Sequence, residues 1–181
     1  CYSQGLSIKE TVALTNAIVK NGEQLHFRKG EIVVDKHCIG GVPGNRTTII
    51  IIPILASLGY KIPKTSSRAI TSPSGTADTF EVLAPVTLSK KKIMQVLQKT
   101  NACIAWGGGV DLASADDKMI KIRHPLSIDP AGMLLASIMA KKKAAGATHI
   151  LIDIPWGKGT KLETKKEAKR LRKLFLKVGK L

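Results

Sequence analysis

Four short apolar segments constrain the fold of this chain most strongly: Glu31–Asp35, Lys61–Thr65, Ala102–Trp106 and Thr148–Ile154. Stretches with helical periodicity lie between them. Such alternation predicts an α/β domain with a largely parallel sheet flanked by helices, because parallel neighbours must be joined by a crossover. Each segment also runs into a loop rich in glycine, hydroxyls or lysine. Ligands of open α/β sheets lie beyond the carboxyl ends of the strands, so these loops are expected to furnish one edge with groups for an anion.

Two of the loops carry the strongest signal. Asp35-Lys-His-Cys-Ile-Gly-Gly-Val-Pro-Gly-Asn-Arg-Thr-Thr48 and Thr65-Ser-Ser-Arg-Ala-Ile-Thr-Ser-Pro-Ser-Gly-Thr-Ala-Asp78 each leave a strand and enter a helix. Small residues let backbone N–H groups approach a ligand, and helix N-termini favour negative charge. Lys36, Arg46 and Arg68 add cations. Two different loops in like contexts point to a ligand with more than one anionic part.

The helices follow from caps and periodicity. Ser7-Ile-Lys-Glu10 is a capping box that opens a helix stopping near Asn21-Gly22. Thr47–Leu58 is apolar, with Gly59 as its stop and Pro53 implying a kink or a later start. Thr76–Leu83 and Ser89–Lys99 are helical in pattern, with Pro85 between them. After Gly107-Gly-Gly109 comes an irregular stretch. Pro130 occupies a first helical position, and that helix runs to about Ala145, with Gly146 beyond. Glu163–Val178 is lysine-rich, with Ala168, Leu171, Leu174 and Phe175 among its apolar residues.

Composition narrows the function classes. The 181 residues are 44% hydrophobic and 23% charged, enough for one globular core. No apolar run is long enough to cross a bilayer, and the start lacks a secretory pattern. Three cysteines, Cys1, Cys38 and Cys103, have neither disulfide-framework nor zinc spacing, so a reducing, cytoplasmic setting is expected. The net charge of +16 raises a basic nucleic-acid-binding module as an alternative. Against it, the excess gathers in Lys90–Lys92, Lys141–Lys143 and Lys165–Lys173, which read as solvated helix faces, and aromatics are only 4%. Gly44-Asn-Arg-Thr47 is not a Walker A loop, and no dinucleotide fingerprint, H-E-x-x-H or G-x-S-x-G is present. His26, His37, His124 and His149 lack metal spacing.

The surviving motifs resemble the pyrimidine/thymidine phosphorylase family, and most of all its archaeal AMP phosphorylase branch. They are Asp35–Thr48, Lys64-Thr-Ser-Ser-Arg-Ala-Ile-Thr-Ser72, Gly75-Thr-Ala-Asp-Thr79, Ala113-Ser-Ala-Asp-Asp117, Ser127-Ile-Asp-Pro130, Leu135-Ala-Ser-Ile138 and Asp153-Ile-Pro-Trp-Gly-Lys-Gly-Thr-Lys161. Pro43-Gly-Asn-Arg46 replaces the Gly-Asp-Lys typical of the thymidine branch. The resemblance implies phosphorolysis of AMP, with CMP and UMP as further substrates, to free base and ribose 1,5-bisphosphate. Inorganic phosphate is then a co-substrate and no cofactor is needed. Phosphorolysis of thymidine or another pyrimidine nucleoside is the alternative within the family.

By the same resemblance, Gly41, Ser67, Arg68, Ala69, Ile70, Thr71, Ser72, Thr76, Ser137 and Lys161 are expected to contact the nucleotide. Lys36, Cys38 and Thr48 are expected near inorganic phosphate, with Cys38 replacing the usual serine by a weaker donor. The proton donor falls on Asp129. The family also implies a helical domain ending over residues 1–30, a central α/β domain over 31–181, a longer whole protein and a homo-oligomer. Whether this portion alone is active stays open.

Each residue also has a plainer reading. Asp129 before Pro130 looks like an N-cap. Arg68 and Lys161 can be solvated charges, and Gly41 can serve a turn alone. Ser137 can bond back to a carbonyl of its own helix. Asp116-Asp117 resembles a metal pair without a third partner and reads better as loop capping, and Cys103 reads as core.

Overall fold

A computed structural model describes residues 4–40, 42, 46–66, 68, 75–112, 114–123, 125 and 130–180. Among them are strands β1 (Val34–Cys38), β2 (Ile62–Ser66), β3 (Ala102–Trp106) and β4 (His149–Asp153). The helices are α1 (Ile8–Lys20), α2 (Thr47–Ser57), α3 (Thr76–Glu81), α4 (Lys90–Thr100), α5 (Ser114–Arg123), α6 (Ala131–Ala144) and α7 (Lys165–Val178), with a 3₁₀ turn at Gly107–Gly109.

β1 pairs with β4 and β2 with β3, both in parallel. A parallel bridge between Val33 and Lys61 joins the two pairs, with Val34 N–H donating to the Lys61 carbonyl at 2.8 Å. The spatial order is therefore β4-β1-β2-β3, and every crossover contains a helix. This is the expected α/β class.

The first strand lies three residues further along than Glu31–Asp35 suggests. Val33, fully buried, is held by Lys61 on one side and Thr148 on the other, and the ladder runs on through Asp35-Lys-His-Cys38. Propensity does not anticipate this, because Asp35 and Lys36 are charged yet buried. The other strands agree with expectation to within a residue or two.

α1 begins at the Ser7/Glu10 capping box: Glu10 N–H donates to Ser7 Oγ at 3.2 Å, and Ser7 N–H to the Glu10 carboxylate at 2.8 Å. It packs against α6, and Ile18 and Val19 share an apolar cluster with Ala136, Ala140 and Ala144 of α6 and Cys103 and Ala105 of β3. A second cluster joins α6 and α7 through Leu135, Ile138, Leu171 and Phe175, and a third packs Ile52 of α2 on Ile62 and Ile104. At the end of α6, Gly146 has φ +72°, and a Cβ there would come within 2.9 Å of the Leu25 carbonyl.

Several helices correct the sequence-based picture. α2 starts at Thr47 and contains Pro53, so the proline does not delay the start. The irregular stretch after Gly109 contains α5. Pro130 is the N-cap of α6 rather than its first residue. α7 starts at Lys165 behind a Thr164/Glu167 capping box. No helix among the described residues is long and apolar enough to cross a membrane.

Candidate functional site

Parallel pairing brings the strand ends together. Cys38 is the register partner of Asp153, and Ser66 of Trp106, so the loops after all four strands leave from one edge of the sheet. Beyond β1, Ile39 N–H donates to the Asp153 carbonyl at 3.0 Å. α2 enters this edge at Thr47, and its cap residue Arg46 makes no side-chain capping bond. Thr48 is buried in the first turn.

Charge is buried directly below this edge. Lys142 Nζ on α6 lies 2.7 Å from Asp35 Oδ2, with both side chains at most 1% exposed. Lys64 Nζ stands 4.0 Å from Asp35 Oδ1 and donates to the Thr65 carbonyl at 2.7 Å. Lys36, itself buried, pairs with Asp153 at 2.9 Å. Burial, then the neighbouring Lys142, pushes the Lys64 ammonium down to about 7, against the pull of Asp35. Burial, reinforced by Lys142, Lys64, Lys141 and Lys36, drives His37 well below the usual imidazole range, so it stays neutral at neutral pH. Burial raises the Cys38 thiol, outweighing its backbone hydrogen bond with Gly40, so Cys38 is a thiol rather than a thiolate.

A second group joins α5 to α6. Ser137 Oγ donates to Asp116 Oδ2 at 2.7 Å, and Lys141 Nζ lies 2.8 Å from the same oxygen. Ser137 thus reaches across to another helix instead of bonding back along its own. Asp116, fully buried, is an interhelical ion-pair partner, not a loop cap. Burial raises Asp117 although Lys141, 3.8 Å away, pulls it down. Of Lys141–Lys143 only Lys143 is solvated: the Lys142 side chain is 1% exposed and that of Lys141 13%. The reason is helical spacing. Leu135, Ile138 and Lys142 recur at i, i+3 and i+7 on the packed side, and buried carboxylates receive the charges.

Arg68 stands over the Trp106 ring at 4.8 Å, in cation–π range. Its guanidinium bridges Glu81, at 2.5 and 2.9 Å, and Asp78, at 3.1 Å. Those hydrogen bonds, Glu81 first, hold the arginine's pKa above its ordinary value, and Arg68 in turn lowers Glu81. Gly108 is required by the same indole, since a Cβ there would approach it to 2.8 Å. Thr76 is the first residue of α3, whose Gly75 N–H donates to the Asp78 carboxylate at 2.8 Å. Lys161 is exposed in the turn after β4. Cys103 is in the core, and burial raises its thiol to about 11.

The site residues expected from sequence therefore divide. Lys36 and Cys38 lie on β1, Arg68 just beyond β2, and Thr48 and Thr76 in the first turns of α2 and α3. Ser137 is on α6 and Lys161 in the turn after β4. Gly41, Ser67, Ala69, Ile70, Thr71, Ser72 and Asp129 lie outside the described residues. Sequence reasoning missed Asp35, Lys64 and Lys142 as a unit. The available signal was a charge set among apolar neighbours, as in Ile62-Pro-Lys-Thr65.

An α/β sheet whose strand ends meet buried lysines and a helix N-terminus is suited to an anionic ligand. The chain belongs to the family described as "Glycosyl transferase family, a/b domain", which it matches over residues 30–160. It is 52% identical over 176 residues to an AMP phosphorylase of Pyrococcus furiosus, covering 97% of this chain and 35% of that protein. A Polaromonas protein with the provisional name of thymidine phosphorylase is 51% identical over 179 residues, covering 99% and 35%. The chain thus spans about a third of the length of these relatives. Its fold is similar to the crystal structure of anthranilate phosphoribosyltransferase from Thermus thermophilus, with TM-score 0.75 at 15% identity, covering 97% of this chain and 50% of that one.

Proposed function

We propose that this chain supplies the phosphate- and nucleotide-binding part of an AMP phosphorylase. That enzyme would convert AMP, and also CMP and UMP, with inorganic phosphate to free base and ribose 1,5-bisphosphate. The observation that carries the reading is the convergence of the β1, β2, β3 and β4 ends on one edge, above the buried lysines Lys36 and Lys64. The relatives named AMP phosphorylase support the choice of substrate.

Cleavage of the bond between base and sugar builds positive charge on the ribose and negative charge on the leaving base. Phosphate must be held at one face of the sugar while a proton donor waits at the base. In this reading Lys36, Cys38 and Thr48 hold phosphate. A thiol at position 38 donates weakly, so Lys36 and the first turn of α2 carry most of that task. Gly41, Ser67, Arg68, Ala69, Ile70, Thr71, Ser72, Thr76, Ser137 and Lys161 contact the nucleotide. Asp129 gives its proton to the base. No cofactor enters. Residues 1–30 are assigned to the end of a helical domain, and the whole protein to a homo-oligomer.

Phosphorolysis of AMP, adenosine and thymidine compared side by side tests the assignment. AMP is expected to be cleaved fastest. Faster cleavage of thymidine would favour the second reading, a nucleoside phosphorylase, which the 51% identical Polaromonas relative supports. For the proton donor, Asp129→Asn is expected to lower kcat about 10²–10⁴-fold, the usual range for losing a general acid. Unchanged turnover would remove Asp129 from the chemistry.

A further inference from the structure

Below the loop that follows β1, the protein buries more positive than negative charge. Lys36, Lys64 and Lys142 are at most 4% exposed, and Asp35 is the carboxylate buried with them, while the Asp153 side chain is 35% exposed. Asp35 is shared, 2.7 Å from Lys142 and 4.0 Å from Lys64. Asp35 Oδ1 and Thr65 Oγ1 are buried without a hydrogen-bond partner among the described residues. The groups whose charge acts on Lys64 are Asp35 and Lys36 on β1 and Lys142 on α6. His37, also on β1, feels Lys64 in turn. One carboxylate does not neutralise two ammonium groups, and buried charge without compensation is costly. Two events relieve the surplus: loss of a proton from one lysine, or arrival of an anion.

Building on the phosphate-site reading of Lys36, we propose that Lys64 matches the site's charge to its ligand, taking up a proton from solvent as a doubly charged anion binds at the β1 loop. No heavy-atom bond changes; the proton moves from buffer onto the Nζ lone pair. Lys142 makes the closer contact to Asp35, and Lys64, farther from that carboxylate, is the member whose charge is conditional. Its position near 7 agrees, and His37 is held too low to titrate in the same range. An anion a few ångströms away favours the charged ammonium and raises that value.

Titration calorimetry of sulfate binding tests this, run at pH 7 in buffers of different ionisation enthalpy. Sulfate stays a dianion at this pH, whereas phosphate itself titrates. The wild-type chain is expected to take up about half a proton per sulfate, as a group half-protonated beforehand must. Its sulfate affinity should fall toward about tenfold per pH unit above 7. Lys64→Arg, with a fixed charge, should bind sulfate with no uptake, and Lys64→Met should bind more weakly, also with no uptake. If Lys64→Met fails to fold by circular dichroism, Lys64→Arg decides alone. Equal uptake in wild type and Lys64→Arg, or sulfate binding by wild type without uptake, overturns the assignment of Lys64 and leaves the phosphate site standing. Absence of any sulfate binding overturns both.

Discussion

α6 and α7 carry similar lysine runs and treat them in opposite ways. In α6, Lys141 and Lys142 turn inward and end on Asp116 and Asp35. In α7, Lys165, Lys166, Lys169, Arg170, Arg172, Lys173 and Lys177 are exposed, while Ala168, Leu171, Phe175 and Val178 form the buried stripe. The difference lies in what faces each helix. A carboxylate already buried across from α6 makes an inward lysine the lesser cost, whereas the α7 stripe meets the apolar side chains of α6. Basic residues thus serve two ends in one chain: surface charge on α7, and an internal charge balance under the strand ends.

The same substitution on the two helices should separate them. Lys142→Met strips Asp35 of its closest counter-ion and is expected to destabilise the fold by about 3–5 kcal/mol in denaturant unfolding. A loss below about 1 kcal/mol would break the comparison, because it would place Lys142 among ordinary surface lysines. A second effect, smaller per pH unit, comes from pH. The folded-state value of Lys64, about 7, lies below the ordinary lysine value of 10.5. Between these values the unfolded chain holds a proton that the folded chain lacks, so rising pH favours folding. Wild type minus Lys64→Met should show stability rising by up to about 1.4 kcal/mol per pH unit in that window, as a single group allows. A flat difference would mean that Lys64 keeps its charge throughout. The smallest effect is expected on α7, where Lys173→Met should change stability by no more than about 0.5 kcal/mol.

Sequence made the architecture legible because its signals were local. The Ser7/Glu10 box and the alternation of strand and helix appear where expected. α5 escaped notice because Ser114-Ala-Asp-Asp-Lys-Met-Ile-Lys-Ile-Arg123 is mostly polar and has only a weak apolar stripe. The β1 boundary was missed for a related reason: a strand that buries Asp35 and Lys36 violates alternation, and its compensation comes from Lys142, more than a hundred residues away. Long-range charge pairing leaves no periodic trace in a single sequence. Lys36, Cys38 and Arg68 were legible from composition and motif, but the ion pairs that hold Lys36 and Arg68 in place were not.

The central claim is that the edge formed by the strand ends accepts a nucleotide through its anionic groups. Thermal unfolding of the chain with AMP, with adenosine and with phosphate tests it most directly, since a ligand that binds only the folded form raises Tm. The account predicts a clear rise with AMP, a smaller one with phosphate and the smallest with adenosine. An adenosine shift equal to or larger than that of AMP, or no shift with AMP at all, would contradict it.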